Sequence, residues 1–96
     1  MRRLQFTPAA QADLDQIWEY SVERWGQAQA VRYVRDLQAT CKALAEGRQS
    51  GRSAEDIRHG YRKAACGGHI LFYRLTDEAL VVVRILHQRM DVERHL

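Results

Sequence analysis

The sequence predicts an α+β domain of element order β-α-α-β-β-β, with an antiparallel helical hairpin packed on one face of a mainly antiparallel sheet. Two observations carry this. Apolar residues recur at helical spacing through two adjoining stretches parted by Gly26. Downstream, three runs rich in β-formers follow one another, joined by tight turns. The 96 residues make one domain, 1–96, and a hydrophobic share of 46% is that of a folded globule, too high for disorder.

The chain opens on alternation. Leu4 and Phe6 fall on one side of a short strand, Arg3 and Gln5 on the other. Thr7-Pro8 then starts a helix, with Thr7 as N-cap and Pro8 at the first helical position, where its missing N–H does no harm. The stripe is Ala10, Leu14, Ile17, Trp18, Ser21 and Trp25, and Gly26 ends it. Asp13 and Asp15 point to different sides of this helix, so they do not form an acid–base pair. They are expected to stabilise the helix near its N-terminus.

A second helix runs from about Gln27 to Glu46, with Val31, Val34, Leu37, Cys41, Leu44 and Ala45 on its apolar stripe. The short connection makes the two helices antiparallel neighbours. Gly47 closes the second, and residues 47–58 read as a loop without periodicity.

The three β-runs are Tyr61 to Cys66, His69 to Leu75 and Ala79 to His87. Gly67-Gly68 is a strong hairpin signal, because both central residues of such a turn need positive φ. Taking it as the loop pairs Cys66 with His69, Ala64 with Leu71 and Arg62 with Tyr73. Taking Asp77-Glu78 as the second loop pairs Tyr73 with Val82, Phe72 with Val83 and Leu71 with Arg84. Alternation then sorts the faces. Ala65, Ile70, Phe72, Val81, Val83 and Ile85 form the face expected under the helices. Arg62, Ala64, His69, Leu71, Tyr73, Val82, Arg84 and Leu86 form a mixed face, read as an open binding surface.

Composition excludes several classes of function. Cys41 and Cys66 are far apart and lack metal-ligand spacing, so both are expected as small buried residues in a reducing compartment. No apolar run approaches the roughly 20 residues of a membrane span, and the N-terminus has no signal-peptide core. A cytoplasmic location follows. His59, His69, His87 and His95 have no ligand partners at metal spacing, so no metal and no cofactor are expected. The net charge is +3, and of 15 basic residues only Lys42 and Lys63 are lysine. Arginine suits bidentate recognition of carboxylate or phosphate. So mild a basic balance permits an acidic protein or nucleic acid as partner without requiring either.

One set of residues could carry chemistry: Arg62, Tyr73, Arg84, His87 and Arg89. A base would deprotonate a ribose 2′-hydroxyl, arginines would stabilise the phosphorane, and an acid would protonate the leaving oxygen. His87 is the only obvious acid–base group at the end of the last strand. A terminal-strand histidine is more often a hydrogen-bonding surface residue.

The stretches IWEYSVERWGQAQAVRYVRDL, GYRKAACGGHILFYRL and VVRILHQRMD together resemble the ParE-type toxins of the RelE/ParE toxin–antitoxin superfamily. The resemblance covers nearly the whole chain. It implies the RelE/ParE-like fold and a toxin of a type II toxin–antitoxin system that inhibits DNA gyrase. It further implies neutralisation by a ParD-type antitoxin in a hetero-oligomer, with no catalytic residues and no direct contact with nucleic acid. The residues implied at the gyrase contact are Arg84, His87, Arg89, Met90 and Asp91. The antitoxin's tail is expected to wrap the hairpin and sheet, meeting Trp18, Trp25, Arg62, Leu71 and Tyr73. Trp18 and Trp25 suit the core between hairpin and sheet as well, and Met90 suits a plug after the last strand. The RelE branch shares the fold but cuts mRNA on the ribosome, and here Arg62, Arg84 and His87 would serve that alternative. The tail after His87 has no tyrosine and the second helix lacks a lysine-rich surface, which favours the ParE branch.

Overall fold

An edge strand, β1 (Arg3–Phe6), leads at once into a helix, α1 (Pro8–Trp25), in a computed structural model that describes residues 1–96. The switch is chemical. Thr7 is extended, its hydroxyl accepts the Ala10 N–H at 3.1 Å, and Pro8 follows in the first turn. Gly26, at φ 89°, ends α1 and begins α2 (Gln27–Ala45). A side chain is strained at that angle, so one glycine suffices to turn one helix into the next. Beyond α2 come β2 (Arg52–Ser53), β3 (Arg62–Cys66), β4 (His69–Leu75), β5 (Ala79–His87) and a terminal turn of helix, α3 (Val92–His95). No helix is long and apolar enough to cross a membrane.

The sheet order is β1-β5-β4-β3-β2, antiparallel except where β1 runs parallel to β5. The predicted β3–β4 register holds at every pair, from Cys66 opposite His69 to Arg62 opposite Tyr73. The β4–β5 register holds from the turn as far as Tyr73 opposite Val82 and then slips. Phe72 lies opposite Arg84 and Leu71 opposite Ile85, leaving Val83 as a bulge. The segment after α2, expected as plain loop, contributes β2 and the fully buried Ala54.

The face assignment is corrected. The helices cover Ala64, Leu71, Tyr73, Leu80, Val82 and Ile85, which join Ala10, Leu14, Ile17, Leu37, Cys41 and Leu44 in the main core. Leu71 and Tyr73 are 0% and 2% exposed, so neither lies on an open surface. Phe72 and Leu86 point the other way, and that side is covered too. Ala54, Ile57 and Tyr61 of the long loop and Val92 and Leu96 of the tail pack on it. Ile85 sits under the helices as expected, but only because the bulge reverses the alternation after Val82.

Candidate functional site

Strand β5 outgrows β1, and the protein meets the exposed edge with side chains. The Thr7 N–H donates to the Val82 carbonyl at 3.0 Å, and its hydroxyl donates to Val83 at 2.7 Å. The next position is taken by Asp13, whose Oδ2 accepts the Ile85 N–H at 2.9 Å. Arg84 closes on the same carboxylate with both arms, Nε to Oδ2 at 2.7 Å and Nη2 to Oδ1 at 2.8 Å. Its remaining nitrogen, Nη1, donates to the His95 carbonyl at 2.9 Å and so ties down the tail. The Asp13 hydrogen bonds push the Arg84 pKa up, which leaves Arg84 a permanent cation. Asp13 is 9% exposed and lies beyond the first helical turn, so it serves this clasp and not the helix N-terminus as expected.

At the far end of the sheet an aromatic series runs from the helical hairpin to the last strand. Tyr20, Trp25, Tyr33, His69 and His87 follow one another with ring centroids 5.4 to 6.4 Å apart. Tyr33 is its hub. Its hydroxyl accepts the Gly68 N–H at 3.0 Å and lies 2.6 Å from His69 Nδ1. Burial raises the Tyr33 pKa, and burial followed by the nearby His87 lowers that of His69. The Tyr33 hydroxyl therefore donates a hydrogen bond to Nδ1 of a neutral His69, which carries its own proton on Nε2. Gly67, at φ 59°, lies under the Tyr33 ring, where a Cβ would stand 2.7 Å from the hydroxyl. The sequence thus places glycine where both the turn and the packing demand it.

The strand ends in an exposed turn. His87 Nδ1 accepts the Arg89 N–H at 3.2 Å, the His87 N–H meets Met90 Sδ at 3.4 Å, and the Met90 N–H returns to the His87 carbonyl at 2.9 Å. Asp91 caps α3 by accepting the Glu93 N–H at 3.2 Å. His87, Arg89, Met90 and Asp91 are all exposed, and Met90, at 39%, is no core plug.

Arg62 and Tyr73 sit elsewhere, at the opposite end of β3 and β4. The Tyr73 hydroxyl accepts the Gly51 N–H at 3.1 Å, and Arg62 donates to the Gly51 carbonyl at 2.9 Å. A Cβ on Gly51 would lie 2.3 Å from the Tyr73 hydroxyl. These two residues therefore anchor the chain leaving α2. Four strand positions separate Arg62 from the row of Cys66, His69 and His87, roughly 13 Å at about 3.3 Å per residue. The five residues named for chemistry are thus divided. Tyr73 is in the core, Arg62 holds Gly51, Arg84 is clasped by Asp13, and only His87 and Arg89 are neighbours in the exposed turn. Trp18 is partly buried and Trp25 is 49% exposed.

Sequence reading missed Asp13 and Tyr33. Both carried a signal. Asp13 falls on the stripe of Ala10, Leu14 and Ile17, and Tyr33 falls two turns before Thr40 on the flank of α2 that meets the Gly67-Gly68 turn.

The family described as the ParE toxin of the type II toxin–antitoxin system, parDE, matches residues 4–92. A Mycobacterium tuberculosis protein named Toxin ParE1 is 50% identical over 95 residues, spanning 98% of this chain and 97% of its own. A Caulobacter vibrioides protein of the same name is 44% identical over 96 residues, spanning 100% and 99%. Among solved structures, the chromosomal ParDE system of P. aeruginosa superposes with a TM-score of 0.76 at 26% identity, covering 91% of this chain and 96% of the other. The E. coli DinJ–YafQ complex shares the fold at a TM-score of 0.59 and 18% identity, over 91% and 93% of the two chains.

Proposed function

The chain belongs to the ParE toxin family of type II toxin–antitoxin systems, and on that footing we propose that it inhibits DNA gyrase and is neutralised by a ParD-type antitoxin. The inhibition is by binding, not by catalysis. The observation that carries this is the dispersal of the would-be nuclease groups. Arg84 is fixed by a carboxylate, Arg62 by a backbone carbonyl, and His87 stands in a turn that occupies its Nδ1. General acid–base cleavage needs such groups gathered around one phosphate. What the chain offers instead is an exposed, basic, methionine-bearing turn on a rigid strand end. His87, Arg89, Met90 and Asp91 make the target contact, and Arg84 supports it from behind by holding the tail.

Antitoxin recognition falls to exposed parts of the hairpin and its flanks. Trp25 and the partly buried Trp18 supply aromatic anchors of the kind that dominate interfaces. Arg62 contributes at the sheet's other end. Leu71 and Tyr73 act only by supporting the surface above them.

The experiment is a supercoiling assay with purified gyrase and the purified toxin. Inhibition that disappears on adding the antitoxin encoded beside it is expected, and Arg89→Glu with Met90→Ala should weaken inhibition at least tenfold while leaving antitoxin binding intact. Full supercoiling at a large molar excess of toxin would sink the gyrase reading. Ribosome-dependent mRNA cleavage lost in His87→Ala would replace it with the nuclease.

A further inference from the structure

A cavity of about 140 Å³ lies where the chain leaves α2, on the helix side of the sheet that Leu44 and Tyr73 share. It is at the other end of β3 and β4 from the exposed turn of His87 to Asp91. Leu44 belongs to its apolar wall, and Arg2, Ser50, Arg62 and Tyr73 are among its polar residues. These four come from separate parts of the fold. Arg2 precedes β1, Ser50 follows α2, Arg62 begins β3 and Tyr73 lies in β4. No carboxylate stands among the residues around the cavity.

The hydrogen bonds at this place leave donors over. Tyr73 is 2% exposed, and its hydroxyl oxygen accepts the Gly51 N–H at 3.1 Å, but no protein group accepts the hydroxyl proton in return. Arg62 commits only Nη2, to the Gly51 carbonyl at 2.9 Å, and Arg2 only Nε, to the Thr76 carbonyl at 2.8 Å. Each guanidinium is thus fixed in place by a neutral group, with its charge unpaired by any carboxylate. Glu46, the nearest acid along α2, is engaged by Arg48. The Ser50 N–H has no backbone acceptor either. A buried hydroxyl proton without an acceptor is costly, and two half-buried cations on one small cavity repel each other. One anion between them answers both.

We propose that the cavity among Arg2, Ser50, Arg62 and Tyr73 binds a phosphate group, as the inorganic anion or as the head group of a nucleotide. A carboxylate is planar and is answered by a single guanidinium fork. A phosphate carries its oxygens in a tetrahedron, which suits donors that arrive from four separate elements. Arg2 and Arg62 supply the charge, and the Tyr73 hydroxyl donates from the buried wall. Because Tyr73 and Arg62 also hold Gly51, the bound anion would rivet the segment after α2 to the strands on either side of it.

The test is an NMR titration of the purified protein with sodium phosphate at constant ionic strength, chloride being the balancing anion. The amides of Ser50, Gly51 and Arg62 should shift together and saturate on one binding curve. Arg2→Gln should weaken that binding at least tenfold, and Tyr73→Phe at least threefold. Arg74→Gln removes the same charge from an exposed position on β4 and should leave the binding unchanged. Amide spectra that keep their dispersion away from the cavity show the variants to be folded, and Arg2→Gln, which alters no buried group, carries the test by itself. Adenosine monophosphate, titrated in the same way, separates the two sources. Tighter binding than that of phosphate assigns the cavity to a nucleotide head group, and binding no tighter assigns it to the inorganic anion. Acetate binding as tightly as phosphate overturns the choice of phosphate. Shifts that never saturate, or a loss in Arg74→Gln equal to that in Arg2→Gln, overturn the site altogether.

Discussion

The two faces of the sheet are covered by different kinds of structure. One lies under two long helices, which share with it a core of 13 buried residues. The other carries three buried residues, Ala54, Phe72 and Leu86, with a loop and the chain's tail laid over them. Neighbours on one strand belong to different worlds: Leu71 faces the helices and Phe72 faces the loop and tail. Both are essentially inaccessible, so burial alone does not distinguish the faces. What distinguishes them is how the cover is held. The helices bring their own backbone hydrogen bonds and an apolar stripe. The loop holds itself by short backbone turns and the brief β2–β3 pairing, and the tail is tied down by side chains, Arg84 to the His95 carbonyl and Arg58 to the Leu96 carbonyl. Arg84 also joins the two coverings, since its other arms grip Asp13 on α1.

That contrast can be broken at its joint. Asp13→Ala leaves Arg84 without its carboxylate and the Ile85 N–H without an acceptor, in a pair whose side chains are 22% and 11% exposed. Removing one partner of a largely buried ion pair costs about 3 kcal/mol or more, so a comparable loss in urea-induced unfolding is expected. The unchanged midpoint of Asp13→Ala would show the clasp to be dispensable. A smaller effect should follow from ending the chain at Asp91. This removes the part-buried Val92 and Leu96, a loss of about 1–3 kcal/mol at the usual worth of an apolar side chain. Hydrogen exchange should then quicken around Phe72 and Leu86 but not around Leu71. Loosening on both faces together would mean that the coverings are not independent.

The smallest effect concerns acid. His69 has an ordinary pKa of 6.5 when unfolded and a lower one in the fold. As pH falls, the unfolded chain takes the proton first, so stability is full above about pH 6.5 and declines below it. One proton limits the slope to about 1.4 kcal/mol per pH unit. Thermal unfolding measured between pH 5 and pH 7.5 (about the range of histidine titration) should show the decline, and His69→Gln should flatten it.

The helical side of this contrast was legible in the sequence and the other side was not. Spacing along α1 and α2, the Thr7-Pro8 start and the Gly26 stop each have a local physical cause, and each appears where expected. The β3–β4 hairpin was legible because Gly67-Gly68 marks its turn, although only Gly67 takes positive φ and not both as expected. The bulge was not. Val81, Val82 and Val83 are all apolar, so a slip of one residue among them leaves no mark on the pattern. The faces could not be assigned for a related reason: with loop and tail as a second cover, both are apolar. Residues 47–58 and 92–96 have no periodicity because they fold only against what others have built. Of the candidate site, the exposed turn from His87 to Asp91 was legible as an ending. The Asp13–Arg84 clasp, joining positions 71 apart, was not.

Val83 makes no side-chain bond of note, yet it sets the phase of everything after it. With the extra residue in place, Ile85 and His87 fall on the helix side, and Arg84 stands where it can reach round the strand edge. Close the bulge with every residue kept and the order inverts: Ile85 would turn away, and the arginine would be driven into the core; take Val83 itself out and Arg84 stays opposite Phe72 and Ile85 opposite Leu71. Substitutions at this position should be forgiven, and its deletion should leave both faces as they are, because it removes the one residue of β5 that has no partner on β4. The direction in which the toxin's last strand aims its tip is therefore stored in its register against β4, not in the identity of Val83.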